Sequence, residues 1–168
     1  MRRVLILMIA FWPMLAFAAL DGPLKPGATV AYLGLTFIDT SFEGERDGVR
    51  ADQTARIVLL EEEVRARFLA QGFVILPNDA IAAELETTSN PADCYGCDVR
   101  MGARLGADYV LVGEVQKVSN LILAMNLVMR DVATGQMVRG QSVDIRSNTN
   151  ETWLRGIRYI LKNHFFKS

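Results

Sequence analysis

One histidine and two cysteines stand in 168 residues, and neither sign of charge dominates, with 18 Lys and Arg against 19 Asp and Glu. The lone His164 has no G-x-S-x-G elbow ahead of it, so a Ser-His-Asp site is not indicated. No paired-carboxylate or phosphate-loop motif stands out, and no cofactor is implied. Without Arg2 and Arg3, which lie in a segment read below as removed, 16 basic residues face 19 acidic ones, a net charge of about −3. That balance points to neither nucleic acid nor an anionic membrane as the main partner. Internal repeats and a domain linker are also missing. At 51% hydrophobic and 22% charged, the chain is not a disordered tail.

The amino terminus carries the clearest signal. Met1-Arg2-Arg3 precedes an apolar run over residues 4–17, interrupted by Pro13, and Ala16-Phe17-Ala18 supplies a small-x-small cleavage pattern. The run is shorter than the ~20 residues that span a bilayer. Residues 1–18 are therefore expected to be a signal peptide cleaved before Ala19, leaving residues 19–168 as a single α/β domain in the periplasm. The first cysteine is Cys94, so no lipid anchor is expected near the cut.

Periodicity and punctuation organise the remainder. Residues 29–37 (TVAYLGLTF) read as a strand and 38–51 as a polar loop. A helix capped by Asp52 or Thr54 runs to Gln71, with Ile57, Leu60, Val64 and Phe68 on its buried face. Glu61–Arg65 and Glu63–Arg67 are expected as ion pairs on its wet face. A short strand over 73–76 ends at Pro77, and short helices follow over 79–87 and 99–105. Strands over 109–118, 121–131 and 137–146 then form a meander, joined at Ser119-Asn120 and at Ala133-Thr134-Gly135. The segment 121–129, apolar at nearly every position, reads as a central strand covered on both faces or packed at an interface. Asn148 and Glu151 resemble a helix cap, and the final helix places Trp153, Ile157, Ile160, Leu161 and Phe165 on one stripe. The fold class is α/β (α+β): a mixed sheet of about five strands in the order β-α-β-α-α-β-β-β-α, with helices packed on it.

Cys94-Tyr95-Gly96-Cys97 is the chemically loaded motif. An exporting compartment favours a structural disulfide between Cys94 and Cys97. A redox-active pair and a metal site are the alternatives, the latter short of ligands beyond His164. Glu43, Glu45, Asp47 and Gly48 imitate a calcium loop, but Thr54 occupies the twelfth position, where a bidentate Glu is needed. Asn150-Glu151-Thr152 matches a glycosylation acceptor but reads as the first turn of the last helix.

The stretches GARLGADYVLVGEVQKVSNLIL (102–123), RDVATGQMV (130–138) and DIRSNTNETWLRGIRYIL (144–161) resemble a family of short exported bacterial proteins known as a domain of unknown function, the DUF2380 type. More distantly, the strand, long helix, GF-x-L-P, LGADYVLVGEV and D-x-x-T-G pattern is similar to the amino-terminal domain of TolB and to the α/β domains of the curli-secretion lipoprotein and of outer-membrane activators of cell-wall synthases. That resemblance implies docking to other envelope proteins. With no Cys before Cys94 and no propeller sequence after residue 161 in this sequence, neither lipid anchorage nor Tol function is carried over as an expectation.

Together these readings lead to a non-catalytic periplasmic domain that docks to an envelope protein or periplasmic enzyme as an accessory or assembly factor. A thiol-disulfide redox protein using Cys94 and Cys97 is the alternative. The candidate partner surface is Lys117, Ser119, Asn120, Arg146, Asn148, Asn150, Trp153 and Arg155. A plainer role for the same polar groups is hydrogen bonding within turns and caps. Trp153 is expected mostly buried beneath the final helix, with an exposed anchor as its alternative.

Overall fold

The computed structural model describes residues 22–167; the segment read as a signal peptide, with its cleavage position, lies outside them. Strand β1 (Thr29–Asp39) is followed by helices α1 (Phe42–Asp47) and α2 (Ala51–Ala70) and a two-residue strand β2 (Val74–Ile75). A 3₁₀ turn (Asp79–Ile81) leads into α3 (Ala82–Thr87), and α4 (Cys97–Arg104) precedes the meander β3 (Tyr109–Lys117), β4 (Leu123–Asp131) and β5 (Met137–Ile145). Helix α5 (Asn150–Ile160) ends in a wider π turn over Leu161–Phe165.

The strands form one five-stranded sheet in the order β2-β1-β3-β4-β5. β1 pairs in parallel with β2 and β3, while β3–β4 and β4–β5 are antiparallel. The mixed α/β sheet expected from the sequence is thus present. β3 is the middle strand, and β4 lies inside the sheet but is fully covered on one face only. Leu123, Met125, Leu127 and Met129 are buried on β4, but the alternate residues are half-exposed, because the second helical layer stops short of them.

α2 and α5 cover one face. Leu60, Val64 and Phe68 from α2 and Trp153, Ile157, Ile160, Leu161 and Phe165 from the last helix and its π turn pack with Tyr32, Leu111, Met125 and Leu127. On the other face, Ile81, Cys97 and Met101 cover Ala31, Leu33, Val110 and Val112 of β1 and β3. The β4–β5 half of that second face remains open.

A bulge in β1 decides which side chains reach the first face. Tyr32 pairs with Leu111 and Leu35 with Gly113, so Leu33 and Gly34 together stand opposite Val112. Gly34 adopts φ +94°, a left-handed conformation that suits glycine. The Leu35 amide, displaced from the ladder, donates to Glu61 Oε1 at 2.9 Å, and a Cβ on Gly34 would lie 2.8 Å from that oxygen. The extra residue shifts the alternation, so Leu35, Phe37 and Asp39 share the helix-covered face with Val30 and Tyr32.

Several local expectations change. Glu61 serves the bulge, and Arg65 stacks 4.8 Å from the centre of the Tyr32 ring, so the predicted Glu61–Arg65 pair gives way to sheet contacts. The Glu63–Arg67 pair forms at 2.9 Å. The polar stretch after β1 holds α1, whose cap Ser41 Oγ accepts from the Gly44 amide at 3.2 Å. The calcium-like residues therefore lie on a helix turn, and Asp47 is held by Arg46. α5 is capped by Thr149, which exchanges hydrogen bonds with Thr152 in a capping box. That leaves Asn148 free for contacts elsewhere. The β3–β4 connection spans 118–122, tied by the Val118 and Ser119 amides donating to the Ile122 carbonyl.

Candidate docking surface

Lys117 ends β3 with its side chain on the helix-covered face, wholly buried. Its Nζ donates to Asp39 Oδ2 at 3.1 Å and to Glu43 Oε2 at 3.2 Å. Asp39 reaches this point because the β1 bulge aims it there, and α1 supplies Glu43 from its first turn. Asn120 Nδ2 donates to both Glu43 oxygens, at 2.9 and 2.8 Å. Asn148 Nδ2 donates to Asn120 Oδ1 at 3.2 Å. Arg56 on α2 donates to Asn148 Oδ1 at 3.3 Å, to Asn150 Oδ1 at 3.0 Å, and pairs with Asp52 at 2.9 Å. Its guanidinium sits 5.8 Å from the centre of the Trp153 ring, and Phe37 lies against the same indole at 5.7 Å.

These bonds form a continuous chain from β1 through α1, the β3–β4 turn and the β5–α5 connection to α2. Burial pushes the Asp39 carboxyl up, but bonds from Ser41 and Lys117 outweigh it, leaving its pKa below the ordinary value. Lys117 and Asn120 lower Glu43, and Arg50 and Arg56 lower Asp52. The three carboxylates are ionised anchors at neutral pH. Their arrangement fixes loops rather than poising a proton for transfer.

The predicted surface residues divide accordingly. Asn120, Asn148 and Asn150 come together in the chain of bonds. Ser119 Oγ accepts from the Leu121 and Ile122 amides, holding the turn. Lys117 and Trp153 have no exposed side-chain surface, so neither can touch a partner directly; both lie beneath the bonded turn and cap residues. Arg146 and Arg155 lie instead along a groove of about 380 Å³ between β5 and α5, with Val143, Ile145, Gly156 and Tyr159.

Sequence reasoning missed the apolar residues at this end. Phe42 is 76% exposed and Leu121 71%, and Val49, Val118 and Ile122 are also exposed. Phe42 precedes Glu43, which is bonded to Asn120, and Leu121 follows Asn120, so the two apolar side chains flank the same braced corner. The signal was available: Leu121 and Ile122 follow a turn, where the chain need not bury them.

At the opposite face, Cys94 and Cys97 form a disulfide, with Cys97 opening α4 and irregular chain before Cys94. Tyr95 projects from this loop almost fully exposed.

The family model described as a protein of unknown function (DUF2380) matches residues 28–165. The chain belongs to that family. Among solved structures, the LpoB C-terminal domain from Salmonella enterica is similar at 12% identity with a TM-score of 0.53, over 76% of this chain and 88% of that one. The same domain from Escherichia coli gives 11% identity and 0.51 over the same shares. The lipoprotein GNA1162 from Neisseria meningitidis gives 16% and 0.49, over 73% of this chain and 83% of that one. The LpoB domains show that this fold is shared. No curated protein matches the sequence.

Proposed function

We propose that this is a non-catalytic domain, exported to the periplasm with residues 1–18 removed, that docks onto an envelope protein or periplasmic enzyme as an accessory or assembly factor. The observation that carries the reading is the corner formed by α1 and the β3–β4 turn. There, Phe42, Val118, Leu121 and Ile122 are exposed beside the turn and cap residues Ser119, Asn120, Asn148 and Asn150, and the buried Lys117 pairs with Asp39 and the partly exposed Glu43 beneath. An apolar centre with a polar rim on a rigid base is the anatomy of a protein-binding patch. A preorganised patch binds with less ordering cost than a mobile one. The likeness in fold to the LpoB C-terminal domain supports the reading, and no helix among the described residues is long and apolar enough to cross a membrane.

The test is recovery of partners from periplasm with purified protein and with a Phe42→Asp, Leu121→Asp variant. A partner bound in fixed proportion by the parent chain, lost with the variant and kept by an α3 control such as Glu86→Lys, supports the reading. No reproducible partner, or equal capture by all three proteins, overturns it.

A further inference from the structure

β5 is a nine-residue strand at the edge of the sheet, and its two halves are treated differently. Ser147 N donates to Leu121 O at 3.4 Å, and the β4–β5 register continues this as Ile145 with Leu123 and Val143 with Met125. Hydrogen-bonded pairs alternate in an antiparallel ladder, so the odd-numbered residues bond inward to β4, and Ser142, Asp144 and Arg146 turn their backbone groups outward.

The first half of the edge is blunted. A register irregularity lies between Met137 and Arg139, Arg139 donates to the Val138 carbonyl at 2.7 Å, and Gln141 Nε2 caps the Ser142 carbonyl at 2.6 Å. Bulges and self-capping of this kind keep an edge from pairing with another strand. From Asp144 onward no such device is present among the described residues. The side chains of Asp144 and Arg146 are exposed, alternate with Val143 and Ile145 along the edge, border the groove beside α5, and make no ion pair or hydrogen bond with another described residue.

We propose that this segment is an interface between two copies of the chain, joined by antiparallel pairing of β5 with β5. Two outward residues per copy fix the register: Asp144 of each copy stands opposite Arg146 of the other, and Ile145 opposite Ile145. Each exposed charge then meets an opposite one, so the strand is complementary to itself. Shifting the register to place Asp144 opposite Asp144 sets like charges together and aligns Arg146 with Ser142, whose carbonyl is already capped. The two-fold axis runs perpendicular to the sheet and leaves both α5 helices on the same side. Ile145, at the centre of the pairing, lines the groove between β5 and α5 with Gly156 and Tyr159. Gly156 lets α5 approach this closely, since a Cβ there would stand 3.3 Å from the Ile145 side chain. The pairing is independent of the docking corner and of the function proposed for it.

Sedimentation velocity of the purified protein from micromolar to near-millimolar concentration tests the proposal, together with Asp144→Arg, Arg146→Asp and the double exchange. A concentration-dependent dimer is expected. Each single reversal creates two like-charge pairs and weakens the dimer about tenfold, which corresponds to ~1.4 kcal/mol. The double exchange returns affinity to within about threefold of the parent, on the same scale. The Asp144 and Arg146 amides should also exchange hydrogen more slowly as concentration rises. Unchanged thermal midpoints confirm that the variants fold, as expected for exposed residues without partners. A monomer at every concentration, a dimer indifferent to the single reversals, or a double exchange that fails to recover overturns the proposal.

Discussion

Lys117 Nζ lies 3.1 Å from Asp39 Oδ2 with none of the lysine side chain exposed, and this pair locks the ends of the parallel strands β1 and β3 beneath the exposed corner. Removing the cation strands the largely buried Asp39 carboxylate, and breaking such a pair costs about 3 kcal/mol or more. Lys117→Met, which keeps most of the volume, is therefore expected to lower the free energy of urea unfolding by about that amount. An unchanged midpoint would mean that the pair does not hold the corner.

Trp153 is fully buried between Phe37, Arg56 and the sheet. Truncation of such a residue to Ala costs ~3–5 kcal/mol. Trp153→Ala should give a protease-sensitive protein with a strongly lowered thermal midpoint. A midpoint equal to that of the parent would contradict its place in the core.

What the sequence shows and conceals follows from the range of the interactions. The Trp153 stripe was legible because helical spacing is local and its members recur every three or four residues. Gly135 was legible for the same reason, and it takes φ +70° in the β4–β5 turn. The role of Lys117 was not legible: its partners lie 78 and 74 positions away, and a lysine ending a strand looks like any wet charge. Gly34 was likewise read through as strand, since only Glu61 on α2 reveals the bulge it relieves. Glu61 and Arg65 had the spacing of a surface pair, and long-range contacts with β1 overrode it. Among the candidate site residues, the three asparagines clustered as polar turn and cap residues do, while the apolar half of the corner passed unnoticed.

The Cys94–Cys97 bond closes a loop of only four residues, so the chain-entropy model assigns it about 2 kcal/mol. A Cys94→Ser, Cys97→Ser variant should lose about that much stability while still binding any partner captured at the corner. A thiol-disulfide protein would behave otherwise: the parent would turn over a model disulfide and the variant would not.

Asp108 accepts hydrogen bonds from Lys25 and from the Thr29 amide and hydroxyl, and these lower its pKa to about 2 from an ordinary 3.8. A carboxylate with a depressed folded-state pKa binds protons more readily when unfolded. Its contribution is therefore complete above about 4 and falls away as pH drops towards 2. Asp108→Asn should lower stability at neutral pH and flatten the loss between those values, as read by urea midpoints. An identical pH profile would refute the role of this carboxylate.

The most direct test of the docking role is a photo-crosslinking residue at position 121, in the β3–β4 turn, with one at position 86 on α3 as control, both expressed in cells that export the protein. Docking through the corner predicts a discrete crosslinked product from position 121, suppressed by Phe42→Asp and weak or missing from position 86. No product from position 121, or the same products from both positions, would contradict it.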